Sequence, residues 1–304
     1  MQHKIDRQKD MKRILVTGAT GNIGFELINF LNLRNTKNEV IAGVRNIEKA
    51  KRQFDNYPGL KFRNFDFENI ASFDSALEKV DSVFLLRPPH ISDIEIFKPL
   101  ISKIKEKRVQ EVLFLSVQGA EKSKVIPHNK MERLILENGL NYIFLRPGYF
   151  MQNLTTTLKY DIQNKRKIIL PSGKAKFNWI DIKNIGETCA ILLDNFAPYK
   201  NKSIELTGYE NENFKKVVDI INSQIESKIT YESVNPIKFY RIKRKDRVEK
   251  GMVMVMLLLH FLPRFQKEPG ISTFFEELTG KEPTRLIDFI KREKNNFMHH
   301  NTSV

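Results

Sequence analysis

The stretch Arg13-Ile-Leu-Val-Thr-Gly-Ala-Thr-Gly-Asn-Ile-Gly24 constrains this chain more than any other. Ile14 to Val16 is a short apolar run of the kind that forms a strand buried on both faces. It stops at Gly18, and apolar residues then recur at Ile23, Leu27, Ile28 and Leu31, the spacing of one helical face. The turn between strand and helix carries Gly18, Gly21 and Gly24, with Thr20 and Asn22 among them. Such a unit needs a tight reversal, a backbone that a phosphate can approach, and a small residue where the helix meets the sheet. The start of the helix contributes free N–H groups and the positive end of its dipole. The spacing is G-x-x-G-x-x-G rather than the commoner G-x-G-x-x-G, so it is the flanking strand and helix that make this a dinucleotide cradle.

Strand and helix patterns alternate after this unit. Strands are expected at Glu39–Val44, Leu60–Phe65, Val80–Leu86, Glu111–Ser116 and Tyr142–Leu145, with helical patterns between them. Asn46 is placed to cap the second helix, Gly139 to end the one before the sixth strand, and Arg146-Pro-Gly148 to break that strand. This alternation implies an α/β fold: a doubly wound parallel sheet with right-handed crossovers. Beyond residue 150 the alternation degrades. The expected division is a polar tail over 1–10 and a sheet domain over 11–150, to which 177–195 returns. A smaller, mostly helical C-terminal cap takes 151–176 and 196–297, and 298–304 is a second polar tail. The apolar run from Met252 to Leu259 is too short to span a bilayer and reads as a buried helix.

Composition narrows the setting. The chain has 304 residues, 41% of them apolar, enough for a sizeable core and incompatible with a disordered protein. Its single cysteine, Cys189, excludes a disulfide framework and a cysteine metal site. With no signal-peptide pattern at the N-terminus, this fits a cytoplasmic protein. A net charge of +15 favours anionic partners. The densest basic cluster is Arg241 to Arg247. Without a helix-turn-helix or zinc-finger pattern it reads as a solvated face rather than a nucleic-acid interface. The pair His299-His300 has no third metal ligand in sight, so no metal site is expected.

Several stretches together resemble the NmrA-like family of atypical short-chain dehydrogenase/reductases. They are Val16-Thr-Gly-Ala-Thr-Gly-Asn-Ile-Gly24, Gly43-Val-Arg-Asn46, Leu115-Ser-Val-Gln-Gly-Ala-Glu121, Leu145-Arg-Pro-Gly-Tyr-Phe-Met-Gln-Asn153 and Trp179-Ile-Asp-Ile-Lys-Asn-Ile-Gly186. They span roughly residues 11 to 195, with a looser match at Leu278-Thr-Gly-Lys-Glu-Pro283. The resemblance implies a Rossmann-type domain and NADP(H). It also implies one of two roles: NADPH-dependent reduction of a quinone or a similar flat small molecule, aromatic ones included, or redox sensing through a protein partner.

The resemblance places the cofactor along Gly18, Thr20, Gly21, Asn22, Ile23 and Gly24, then Asp66, Phe67, Leu86, Arg87, Ser116 and His128. At the end of the second strand, where an acid would accept from the ribose hydroxyls of NAD, the chain has Arg45, followed by Lys49. Both suit a 2′-phosphate. The Tyr-x-x-x-Lys pair of short-chain dehydrogenases is absent: Lys124 stands at the tyrosine position and His128 at the lysine position, while Ser116 matches the family serine. His128 is read two ways, as a donor to ribose or substrate and as a residue that merely follows Pro127 into a helix. Tyr149 is a second candidate donor, with aromatic packing as its other reading. Asp181 is taken as a brace between cap and sheet, and some of the 22 phenylalanines are expected to line an apolar acceptor pocket.

Overall fold

The apolar runs of the first half are alternately directed. Ile14 and Val16 point to one side of their strand and Leu15 to the other, and all three are fully buried. A strand buried on both faces belongs in the middle of a parallel sheet covered by helices. The structure, a computed structural model, describes residues 11–91, 93–122, 124 and 126–298. The expected tail at 1–10, and all but Met298 of the one at 298–304, including His299-His300, lie outside the described residues.

The first half runs β1 (Arg13–Thr17), α1 (Asn22–Leu33), β2 (Glu39–Val44), α2 (Ile47–Gln53), β3 (Lys61–Asn64), α3 (Ala71–Ala76) and β4 (Ser82–Leu86). It continues through α4 (Lys98–Glu106), β5 (Glu111–Leu115), α5 (Pro127–Glu137) and β6 (Tyr142–Pro147). Asn46 caps α2 by accepting from the Lys49 N–H at 2.9 Å. Gly139 ends α5 in the left-handed region at φ +67°. The sixth strand outlasts the expected break. Pro147 lies opposite Leu206 at the strand's end, and its carbonyl accepts from the Gln118 N–H at 2.9 Å.

The second half contains β7 (Tyr149–Phe150), β8 (Lys167–Leu170), β9 (Lys176–Ile180), α6 (Ile182–Asp194), β10 (Lys202–Leu206) and β11 (Asn211–Asn213). Then come α7 (Phe214–Asn222), β12 (Thr230–Ser233), α8 (Pro236–Lys245), α9 (Lys250–Phe261), α10 (Phe274–Thr279) and α11 (Leu286–Arg292). Among the described residues the large sheet is parallel, in the order β10-β6-β5-β4-β1-β2-β3. One face packs on α1 and α6, and the other on α3, α4 and α5.

The division into sheet and cap differs from the one expected. β10 is the edge strand of the large sheet beside β6, and α10 packs on α6 and β10, so part of 196–297 belongs to the sheet domain. β9, expected to return, instead pairs with β7 and β11 in a small separate sheet. The chain therefore crosses between the layers repeatedly: β6 to β7, β9 to α6, β10 to β11, and again on either side of α10. The cap has its own core, built from Tyr149, Phe177, Trp179, Phe214, Phe239, Phe289 and their neighbours.

The run at Met252–Leu259 corrects another expectation. It is helical within α9, but only Val253, Met256 and His260 of that helix are buried. Among the described residues no helix is long and apolar enough to cross a membrane.

Candidate active site

Neighbouring strands of the large sheet diverge in chain order between β1 and β4, and the crevice at such a switch point is where this architecture binds ligands. The glycine turn sits there. Gly18 has φ +62°, and a Cβ on it would come within 2.7 Å of Leu86 at the end of β4. A Cβ on Gly24 would lie 2.3 Å from the Gly18 carbonyl oxygen, so only glycine lets α1 begin this close to the strand. Gly21 is different: its Cβ would meet only the Gly18 oxygen, at 3.2 Å. Thr17 binds the two strand ends together, its hydroxyl donating to the Phe84 carbonyl at 2.9 Å and accepting from the Leu86 N–H at 3.3 Å.

α1 starts without a side-chain cap and has no acid in its first turn. Its leading N–H groups, around Asn22, Ile23 and Gly24, are left to a ligand. Thr20, Gly21 and Asn22 form the exposed rim of the turn. Gln53 of α2 donates to the Thr20 carbonyl at 3.3 Å, which sets α2 against this rim. Arg45 and Lys49 are exposed at the junction of β2 and α2, and no described carboxylate forms an ion pair with either. The chain thus presents uncapped donors at one point and two unpaired cations at another. Those are the requirements of a dinucleotide with a 2′-phosphate, and the residues fit that cofactor.

Beyond β3, Asp66 accepts from the Glu68 N–H at 3.1 Å and shapes its own turn. The Phe67 side chain is core, edge-on to Phe65 with ring centres 4.9 Å apart, so it does not serve as a cofactor contact. At the end of β4, Arg87 folds back on its loop and donates to the Ile91 carbonyl at 2.5 Å and to Pro88 O at 3.1 Å. Its Nε is buried without a partner, no described carboxylate pairs with it, and burial pulls its pKa down. His128, in the first turn of α5, stacks loosely on Phe114. Burial and the neighbouring Arg87 charge push its pKa down to about 3, so its imidazole is neutral at working pH. A neutral ring can donate one N–H, but it is no store of protons.

The other candidates are engaged elsewhere. The Ser116 hydroxyl donates to Glu132 Oε1 at 2.6 Å. Glu132 in turn accepts from Arg146 Nε at 3.0 Å and Nη2 at 2.7 Å. Sequence reasoning missed this buried network. Its one signal was Arg146, a cation on an otherwise apolar strand that needs a carboxylate partner. Tyr149 points into the cap core, where its hydroxyl lies 2.9 Å from His260 Nε2. His260 Nδ1 is 2.7 Å from the Met256 carbonyl, an acceptor only, so the proton sits on Nδ1 and Tyr149 donates to Nε2. Lys124 is exposed at the position of the absent tyrosine. The cap's phenylalanines pack inward on one another: Phe177, Phe214, Phe239, Phe289 and Phe297 are buried in its core rather than lining an acceptor pocket.

Asp181 caps α6, its Oδ1 accepting from the Lys183 N–H at 3.1 Å and from Gln152 at 2.6 Å. Arg292 of α11 donates to its other oxygen at 2.7 Å. The three elements meet on one buried carboxylate, as a brace requires.

The fold and the crevice define a class, the doubly wound dinucleotide-binding proteins with a glycine turn at the switch point. The family model of the NmrA-like family matches residues 10–286, and the chain belongs to that family. Among its relatives, Prestalk A differentiation protein A of Dictyostelium discoideum is 29% identical over 285 residues, 93% of each chain. The NAD(P)H azoreductase of Xenophilus azovorans is 25% identical over 282 residues, covering 91% of this chain and 96% of its own. Among solved structures, the quinone oxidoreductase QOR2 of Escherichia coli complexed with NADPH superposes with a TM-score of 0.80 at 20% identity, covering 92% of this chain and 99% of that one.

Proposed function

We propose that the chain is an NADPH-dependent oxidoreductase that delivers hydride to a flat acceptor of the quinone type. The observation that carries this reading is the uncapped start of α1 over the glycine turn, with Arg45 and Lys49 unpaired at the end of β2. The similarity to an NAD(P)H azoreductase and to an NADPH-dependent quinone oxidoreductase supports it. The cofactor, when bound, supplies the hydride. The protein's part is to hold the pyrophosphate on α1, select the 2′-phosphate through Arg45 and Lys49, and fix the acceptor between the crevice and the cap.

The acceptor class follows from what the crevice lacks. Reducing a simple ketone concentrates charge on one oxygen, and a positioned acid must deliver a proton as the hydride arrives. Ser116 is held by Glu132, Tyr149 by His260, and His128 is neutral. A quinone spreads the incoming charge over its ring and both oxygens and can take its proton from water. Its reduction depends on stacking and proximity. The same shortage of acids favours a second reading, a protein that binds NADP(H) and signals through a partner without turnover. Steady-state oxidation of NADPH with a panel of quinones, azo dyes and secondary alcohols decides between them. Turnover with quinones and none with alcohols is expected; tight NADPH binding with no turnover on any acceptor would establish the second reading.

A further inference from the structure

The outward face of α9 is apolar from Met254 onward. Met254, Val255, Leu258, Leu259 and Leu262 follow one another at helical spacing, each between 39% and 52% exposed, and Phe265 just beyond is 74% exposed. The opposite face, Val253, Met256 and His260, is seated in the cap core. A surface ridge of this size with no polar side chain on it is not the ordinary scatter of exposed apolar residues.

Both ends of the ridge are cationic. Upstream stand Arg241, Arg244, Lys245, Arg247 and Lys250, all exposed, and none forms an ion pair with a described carboxylate. Downstream, a cleft of about 1020 Å³ is lined by Lys174, Lys215, Arg264 and Lys267 among others. Arg264 lies over the Phe261 ring at 5.5 Å, where it continues the helix's own surface.

We propose that the outward face of α9 docks on an anionic phospholipid surface. An apolar helix face with Lys and Arg at its borders is the pattern that settles into the boundary between headgroups and acyl chains. A second copy of this chain is a poor occupant, because a two-fold contact would press the same cationic ends together. A protein interface of specific register normally carries on the order of ten hydrogen bonds, and this face offers no side chain to make one. A bilayer asks for none. The proposal is independent of which acceptor the crevice takes, and its test does not depend on turnover.

The full chain is sedimented with vesicles of phosphatidylcholine alone, or with a quarter of phosphatidylglycerol. Binding is expected to the anionic vesicles only and to weaken as salt is raised. Leu258→Glu with Leu259→Glu should cut it by at least about tenfold, and Arg241→Ser with Lys245→Ser and Arg247→Ser by about a hundredfold, at about fivefold per basic residue removed. Circular dichroism confirms that each variant is folded, and the basic variant leaves the apolar ridge intact. Absence of binding at low salt, equal binding to both vesicles, or indifference to either variant would overturn the proposal. A dimer in light scattering that Leu258→Glu dissociates would also overturn it and give the face to a second copy.

Discussion

On the proposed function, cofactor choice turns on the side chain of Arg45. It sits where an acid would favour NADH, and among the described residues no carboxylate forms an ion pair with it. Replacing it by Ala should cost about 1.5–3 kcal/mol of NADPH affinity, the scale of a hydrogen bond to a charged group, and leave NADH affinity nearly unchanged. Titration of nicotinamide fluorescence reads both, and equal losses would refute the assignment. His260 is a second residue whose chemistry is set by its surroundings. Burial pushes its pKa down from the ordinary 6.5 to about 4, so the unfolded chain binds this proton more readily than the folded one. The contribution is whole above pH 6.5 and is lost as pH falls toward 4. His260→Gln should therefore flatten the fall of the denaturant midpoint over that window; an unchanged slope would mean that the ring is charged in the folded protein. Tyr149→Phe removes the hydroxyl that donates to His260 and leaves a buried acceptor unpaired, at a cost of about 1–3 kcal/mol. Quinone turnover should survive it, since the hydroxyl faces the cap core. A folded Tyr149→Phe variant without turnover would return that group to the reaction.

The glycines of the β1–α1 unit have separate duties at the scale of the element. Gly24 lets the helix touch the strand, and Gly21 leaves the space above the turn open. A methyl group at Gly24 meets backbone at 2.3 Å, with no side chain to yield, and Gly24→Ala should lower the melting temperature sharply or prevent folding. Gly21→Ala meets a single oxygen at 3.2 Å, so it should fold and lose cofactor affinity by filling the approach to the phosphate. The converse result, a well-folded Gly24→Ala and an unfolded Gly21→Ala, would misplace the cradle. This unit was legible in the sequence because strand, turn and helix each leave a local signal, and the same is true of β2, β4 and β5. What could not be read was set by contacts distant in sequence. β10 joins the large sheet by pairing with β6, nearly sixty residues earlier, and Lys202-Ser-Ile-Glu-Leu206 has too little apolar alternation to announce it. α9 looked like a buried helix because hydrophobicity all round its surface usually has that cause. The Ser116–Glu132–Arg146 network was hidden for a related reason: burial of a carboxylate on α5 depends on where the Arg146 side chain points.

Across the whole molecule, one carboxylate ties the layers together. Asp181 is fully buried and holds Arg292 of α11, Gln152 beside β7 and the first turn of α6. Asp181→Ala should cost about 3 kcal/mol, the lower range for breaking a buried ion pair, because Arg292 keeps some access to water. Asp181→Asn should cost less, since it retains the cap of α6. Chemical denaturation followed by circular dichroism measures both, and equal costs would show that the cap of α6 contributes nothing and that the whole effect lies in the charge. The repeated crossings of the chain between sheet and cap carry a further consequence, for anyone who would alter what the protein accepts. The cap is not a cassette. Its pieces are interleaved with β10, α6 and α10, so lifting it onto another scaffold would mean cutting and rejoining the backbone at every crossing, each time through a packed boundary. A new acceptor preference in this chain has to arrive one side chain at a time, within a roof stitched to its own floor.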